Sequence, residues 1–390
     1  WVLNSLANGL GIGGMAVVAR RIGAKEQAAA EHATWQTILL GLIVSLFLGA
    51  VGMVAAEPLL SLLGADAVVL PLGLAYLRVA FGGTFTIILV FIINAMLRGA
   101  GEARLSMQVL FLSTAATVVL EPALVFGFGP IPELGVAGAA FAFVLGYGVG
   151  LTLQLVILLR GKARIRINVH DLRPDFPLMG RIIGIALPST VQMTLRSSSR
   201  LAIVALVAAY GTYATAGYGV ANRLMLLALI PCFGLGNAAG TLVGQNLGAG
   251  KAERAERSAW WVSAYSGVYM AVVATALVIL APTLISFFDP TPAVVSFGTE
   301  CVRIVSLSMI FSAVGVVLAR GFDGAGNTVP AMTINLVSLW ILEVPLAFAL
   351  SRVLGLGAIG VWWGRALSNM ANGLLFAVWF RRGKWKERQV

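Results

Sequence analysis

Charged side chains are scarce: Asp, Glu, Lys and Arg make up 11% of the 390 residues, against roughly 25% in a soluble domain. With 59% of residues apolar, there is too little polar surface to coat a globule, and a bilayer becomes the natural solvent. Thiol and imidazole are scarce as well, with two cysteines and two histidines. Cys232 and Cys301 lie in apolar runs without the spacing of a disulfide framework or zinc site, and His32 and His170 have no metal-ligand partners at useful spacing. The residues indicate no metal, no cofactor and no enzyme. Gly9 to Gly14 matches GxGxxG but lacks the preceding strand and following acid of a dinucleotide site, so it reads as small residues at a helix contact. Gly248 to Ala252 lacks the first glycine of a P-loop and the hydroxyl residue after its lysine. An ATP-driven motor is not encoded in this chain.

Long apolar runs take the place of these motifs. Ala33 to Ala56, Leu134 to Leu159, Leu224 to Gly250 and Ser258 to Phe288 carry no charge, and each exceeds the ~20 residues that cross ~30 Å of hydrocarbon as a helix. Breaks at charged and Gly/Pro-rich stretches divide the chain into eleven expected spans: 1–19, 34–56, 68–97, 105–127, 134–159, 181–209, 214–243, 258–287, 293–319, 329–351 and 357–380. Alternate connections hold 20 basic residues on one face and one, Arg352, on the other. The positive-inside rule puts the basic face in the cytoplasm of a multi-pass protein of the plasma (inner) membrane. The net charge of +11 is then explained by orientation and by contact with anionic lipid, and no nucleic-acid partner is needed.

The chain also repeats itself. Gly9-Leu10-Gly11 recurs as Gly234-Leu235-Gly236, Gly23-Ala24 as Gly248-Ala249, Arg78 as Arg303, Gly99-Ala100-Gly101 as Gly324-Ala325-Gly326, and Met107 as Met332, always 225 residues apart. The offset then becomes 222, pairing Leu120-Glu121 with Leu342-Glu343, Leu134-Gly135 with Leu356-Gly357, and Gly138 with Gly360. One register kept through helices and loops predicts an all-α membrane protein of two six-helix lobes, related by a pseudo-two-fold axis along the membrane normal. The second copy has six spans, so the first helix of the first copy is expected to be missing, upstream of Trp1. The expected organisation is an N-terminal lobe at 1–160, a cytoplasmic linker at 161–180, a C-terminal lobe at 181–381 and a cytoplasmic tail at 382–390.

Ionisable groups inside spans cost about 2.5–3.5 kcal/mol on insertion scales and default to functional candidates. They are Arg78, Glu121, Arg196, Arg200, Arg223, Glu300, Arg303, Glu343 and Arg365. Glu300 and Arg303, three apart on one helix face, are expected to neutralise each other. Glu121 precedes Pro122, whose missing donor should help open the helix beside a protonatable group. Arg196 and Arg200 share a face at i and i+4, and need an acid such as Glu343, carbonyls, or an anionic part of a substrate as partner.

Taken in order and in duplicate, several stretches resemble the MATE (multidrug and toxic compound extrusion) transporters. They are Val18-Ala19-Arg20-Arg21-Ile22-Gly23-Ala24 with its repeat Val243 to Ala249, Tyr76-Leu77-Arg78-Val79 with Val302-Arg303-Ile304, and the loops Leu97 to Glu102 and Asp323 to Thr328. Leu120-Glu121-Pro122 and Gly357 to Trp363 complete the set. The resemblance implies a central cleft, rocking of the lobes, and export driven by re-entry of H+ or Na+. It places the family's Leu-Asp-Pro acid on Glu121 and the asparagine four residues earlier on Thr117, which together form the expected coupling-ion site. The glutamate of the Na+-coupled branch, counted eight residues from Pro188, falls on Arg196, and its partner aspartate falls on Ser312; a guanidinium cannot ligate sodium. Arg196, Arg200, Gln192, Asn222, Ser312 and Glu343 are the substrate-cleft candidates. The implied function is an ion-coupled antiporter for small amphipathic, cationic drugs or metabolites, working as a monomer in contact with lipid. The competing reading is a flippase for lipid-linked saccharides, which would use a basic cleft to hold a diphosphate.

Overall fold

The computed structural model describes residues 2–62, 64–129, 132–167 and 173–388; His170, parts of the expected linker and tail, and Trp1 lie outside them. The helices are α1 (Val2–Gly23), α2 (Gln27–Leu62), α3 (Val69–Gly82), α4 (Thr84–Gly99), α5 (Ala103–Phe126), α6 (Gly135–Leu159) and α7 (Phe176–Ala208). They continue as α8 (Thr212–Gly248), α9 (Ala252–Phe288), α10 (Pro292–Ser306), α11 (Met309–Gly324), α12 (Thr328–Asn335), α13 (Val344–Phe348) and α14 (Ala358–Arg381). Among the described residues seven helices are long and apolar enough to cross a membrane, or nine if each bent pair is one span. With α1 and α14, of 22 and 24 residues, these match the eleven expected segments one for one. Many large apolar side chains are exposed, Val54, Leu62 and Phe287 by more than 80%, as befits a surface solvated by lipid.

Two compact units contain the helices, Val2–Ala186 and Leu187–Val390, with the division inside α7. The segment before α7 is stitched to the first unit. Gln27 Nε2 donates to the Arg164 carbonyl, Gln36 Nε2 donates to the Arg173 carbonyl at 2.7 Å, and the Asp175 N–H returns a bond to Gln36 Oε1 at 3.1 Å. Asp175 caps the start of α7 through the Leu178 N–H at 3.0 Å and lies 3.3 Å from His32 Nε2. The Leu178 amide first, and the His32 ring after it, hold this carboxyl below the usual carboxylate range.

The sequence register reappears as backbone geometry. Glycines with positive φ occur at 101 and 326, at 135 and 357, and at 161 and 383. Lys25, the one non-glycine residue with positive φ (63°) among the described residues, occupies the position at which the second copy has Gly250 (71°). Both units break one span into a bent pair: α3 and α4 meet at 43°, α10 and α11 at 57°. The breaks fall at Gly83 and Ser308, again 225 apart. Packing repeats too: a Cβ on Gly99 would meet the Met15 carbonyl at 3.0 Å, and one on Gly324 would collide with the carbonyl of Gly240.

One span departs from the pattern. Between α12 and α14 the chain runs through π-helical turns at Leu336–Glu343 and Ala349–Val353, on either side of α13. In the first unit Gly138 and Gly146 of α6 pack on Leu124 and Thr117 of α5, whereas in the second Gly360 and Ser368 of α14 meet Leu350 and Ser338. An equal advance along the partner helix thus takes seven residues in one unit and twelve in the other. Wider π turns absorb the surplus, and such turns recur at functional sites. By contrast α5 continues as one helix through Pro122 to Phe126, so the proline does not open the helix beside Glu121.

Candidate transport site

A cavity of about 140 Å³ lies within the second unit. Its polar lining is Arg196, Ser199 and Arg200 from α7, Ser312 from α11, Asn335 and Glu343 from the π-wound span, and Arg365, Asn369 and Asn372 from α14. Leu226, Leu229, Phe233, Val316 and Leu339 supply its apolar walls.

Helical spacing explains how so many polar groups meet inside an apolar unit. Residues 365, 369 and 372 follow the i, i+4, i+7 stripe of one α14 face, and 196, 199 and 200 share a face of α7 at i, i+3 and i+4. The π turns keep both Asn335 and Glu343 among the buried residues. At the centre, Arg365 Nε stands 4.0 Å from Glu343 Oε1. Its Nη1 donates to Tyr218 Oη and its Nη2 to Asn222 Oδ1 at 3.2 Å. Tyr218 in turn stacks on Trp362, with ring centroids 5.5 Å apart and planes within 3°. Ser199 Oγ donates to Glu343 Oε2 at 3.2 Å. Arg196 Nη2 reaches Asn335 Oδ1 at 3.4 Å, an oxygen that also accepts from Asn372 Nδ2 at 3.3 Å. Beside the cavity, Arg320 Nη1 pairs with buried Asp323 at 3.2 Å.

Five of the expected cleft residues therefore meet at one network: Arg196, Arg200, Ser312 and Glu343 line the cavity, and Asn222 holds Arg365. Gln192 is buried on the same helix as Arg196 but does not line it. The acid Glu343 does not pair with Arg196; Arg365 takes it, because the α14 face brings its guanidinium nearer. Glu300 and Arg303 form no ion pair among the described residues; Arg303 Nε turns instead to the Val278 carbonyl of α9 at 3.4 Å. In the first unit, Thr117 is buried against Gly146 and donates to the Ser113 carbonyl at 3.0 Å. Glu121, one turn further on, is exposed, so the structure brings the two onto one helix but gives Glu121 no partner among the described residues.

A family model described as MatE matches residues 1–123 and 188–349, most of the chain and parts of both units. The chain belongs to the MatE family. It is a MATE efflux transporter, a multi-pass membrane protein and not an enzyme. A probable multidrug resistance protein NorM of Thermotoga maritima is 27% identical over 393 residues, covering 100% of this chain and 84% of its own. A FAD transporter of Shewanella oneidensis is 27% identical over 89% of this chain and 76% of its own. A solved MATE transporter in an outward-facing conformation has the same fold, with a TM-score of 0.92 at 23% identity, covering 100% of this chain and 86% of that one.

Sequence reasoning singled out Arg365 as an intramembrane charge but not as the hub of this MATE site, and it missed Ser199, Tyr218, Asn335, Asn369 and Asn372. The α14 stripe was a usable signal, since an arginine and two asparagines on one face of an apolar span need a common partner. Tyr218 gave no signal, because an aromatic in a span reads as packing.

Proposed function

We propose that this MATE transporter is an antiporter driven by re-entry of H+ or Na+, that it exports small amphipathic compounds, and that Glu121 is the coupling carboxylate. The observation that carries the reading is that each copy of the repeat has one glutamate at the matching place in the same span, followed closely by proline: Glu121 with Pro122, and Glu343 with Pro345. The second copy's acid is committed to Arg365 and Ser199. That leaves Glu121 free to exchange an ion, and a carboxylate whose solvation differs between two orientations gives the ion the differential affinity that drives transport. The relatives' names, multidrug resistance protein and FAD transporter, favour export of organic molecules over the flippase reading. Cationic cargo, which the family resemblance implied, is disfavoured at the second unit's cavity by its surplus of guanidinium groups.

The test is reconstitution in liposomes with imposed H+ or Na+ gradients. The Glu121→Gln protein should lose gradient-driven efflux by about tenfold or more while keeping substrate exchange at equal ion concentrations, because only the ion's share of the driving force is removed. Efflux that still follows the gradient in this variant would assign coupling to another group.

A further inference from the structure

The second unit's cavity holds more positive charge than its own residues neutralise. Arg365 is fully engaged by Tyr218, Asn222 and Glu343, and the other oxygen of Glu343 accepts from Ser199. The only carboxylate on the cavity wall among the described residues is thus taken by one of the three guanidinium groups there. Arg196 keeps a single long bond to Asn335, at 3.4 Å. Arg200 makes no hydrogen bond or ion pair among the described residues. Two cations inside a membrane-spanning unit, one turn apart on one face of α7, would be costly without water or an anion between them.

Guanidinium forks match the oxygens of phosphate and carboxylate, whereas a cation entering here would meet two like charges in a medium of low dielectric. Leu226, Leu229 and Phe233 beside the arginines would cover an apolar body attached to the anion. Size narrows the choice further, because about 140 Å³ is close to the roughly 150 Å³ of an engineered cavity that admits benzene. An acidic group carried on a single ring matches this scale.

We infer that this cavity is an anion site, in which Arg196 and Arg200 hold the phosphate or carboxylate group of an amphipathic compound or of an anionic lipid. The inference deepens the transport reading by naming a cargo chemistry and rests on it for its use in the cell, but binding itself is measured at equilibrium without any gradient.

The experiment is titration calorimetry of the purified full chain in neutral detergent, with phenyl phosphate as probe and benzyltrimethylammonium as its cationic counterpart. Phenyl phosphate should bind and the ammonium should not. Arg200→Gln should weaken phenyl phosphate by about tenfold, with melting within a few degrees of the unaltered protein because the side chain breaks no contact, and Arg200→Lys should recover part of the loss. Arg196→Gln should weaken the probe similarly and gives a second, independent reading. Displacement by dihexanoyl phosphatidic acid would mark a lipid headgroup as the source of the anion, and its failure to displace would mark a soluble compound; either result supports an anion site. The inference falls if the unaltered chain does not bind phenyl phosphate, if the ammonium binds as well, or if both glutamine variants bind the probe unchanged. Loss of coupling in Glu121→Gln with phenyl phosphate binding intact would leave this inference standing. Gradient-driven export in a chain that never binds the anion would overturn this inference alone.

Discussion

Glu343 has three arginines within its neighbourhood and one charge to offer, and the geometry decides which of them receives it. Arg365 approaches from α14 with its remaining nitrogens already satisfied by Tyr218 and Asn222, so the ion pair adds to a network rather than standing alone. Removing one member of a buried pair leaves the other uncompensated, which typically costs about 3–5 kcal/mol, whereas removing both costs much less. Arg365→Met should therefore lower the melting temperature of the detergent-solubilised protein sharply. The double variant Arg365→Met with Glu343→Gln should recover much of that loss. Additive effects of the two substitutions would show that the residues do not act as a pair.

Helix contacts in both units rest on the close approach of small residues. At Gly324 the α11 backbone lies against the carbonyl of Gly240 so tightly that a methyl group has no room, while Gly234, on the same α8 as Gly240, has open space where a Cβ would stand. Gly324→Ala should push α8 and α11 apart and destabilise by about 1–3 kcal/mol or more, as overpacking does. Gly234→Ala should be neutral or stabilising by up to ~1 kcal/mol from helix propensity. Equal melting temperatures for the two variants would remove close packing as the reason for the glycine at 324. Gly99 and Gly324 were legible in the sequence because the repeat carries them twice, and so were the eleven spans, since hydropathy and loop charge govern both. The bend at Gly83 and Ser308 was hidden, because neither apolar content nor charge changes across it. The π winding was hidden as well: the repeat register showed a change of offset but not the surplus visible in the side-chain contacts. At the site, Arg196, Arg200 and Glu343 were legible as costly charges. Their pairing was not, because partners are chosen by which helix faces converge, and a periodicity within one helix carries no information about its neighbour.

On the scale of the whole chain, basic residues cluster in or beside the connections after α1, α4, α8 and α11, counting the helix ends that flank them, and in the segments that precede α7 and follow α14. A cytoplasmic position for that face predicts labelling from outside at cysteines introduced at Glu133 and Asp289, and none at Lys251 or Arg381. The native Cys232 and Cys301 are free but buried, so they should add little background. Labelling of position 251 in intact cells would invert the topology. The π-wound span bears on how such a molecule fits its bilayer. As an uninterrupted α-helix the 26 residues Thr328–Val353 would rise about 39 Å, some 9 Å beyond a ~30 Å hydrocarbon layer, and a span of that excess must tilt, kink or thicken the lipid around it. Wider turns shorten the rise per residue, so the mismatch is relieved inside this helix, and the extra length is converted into the coil that carries Glu343 to Arg365.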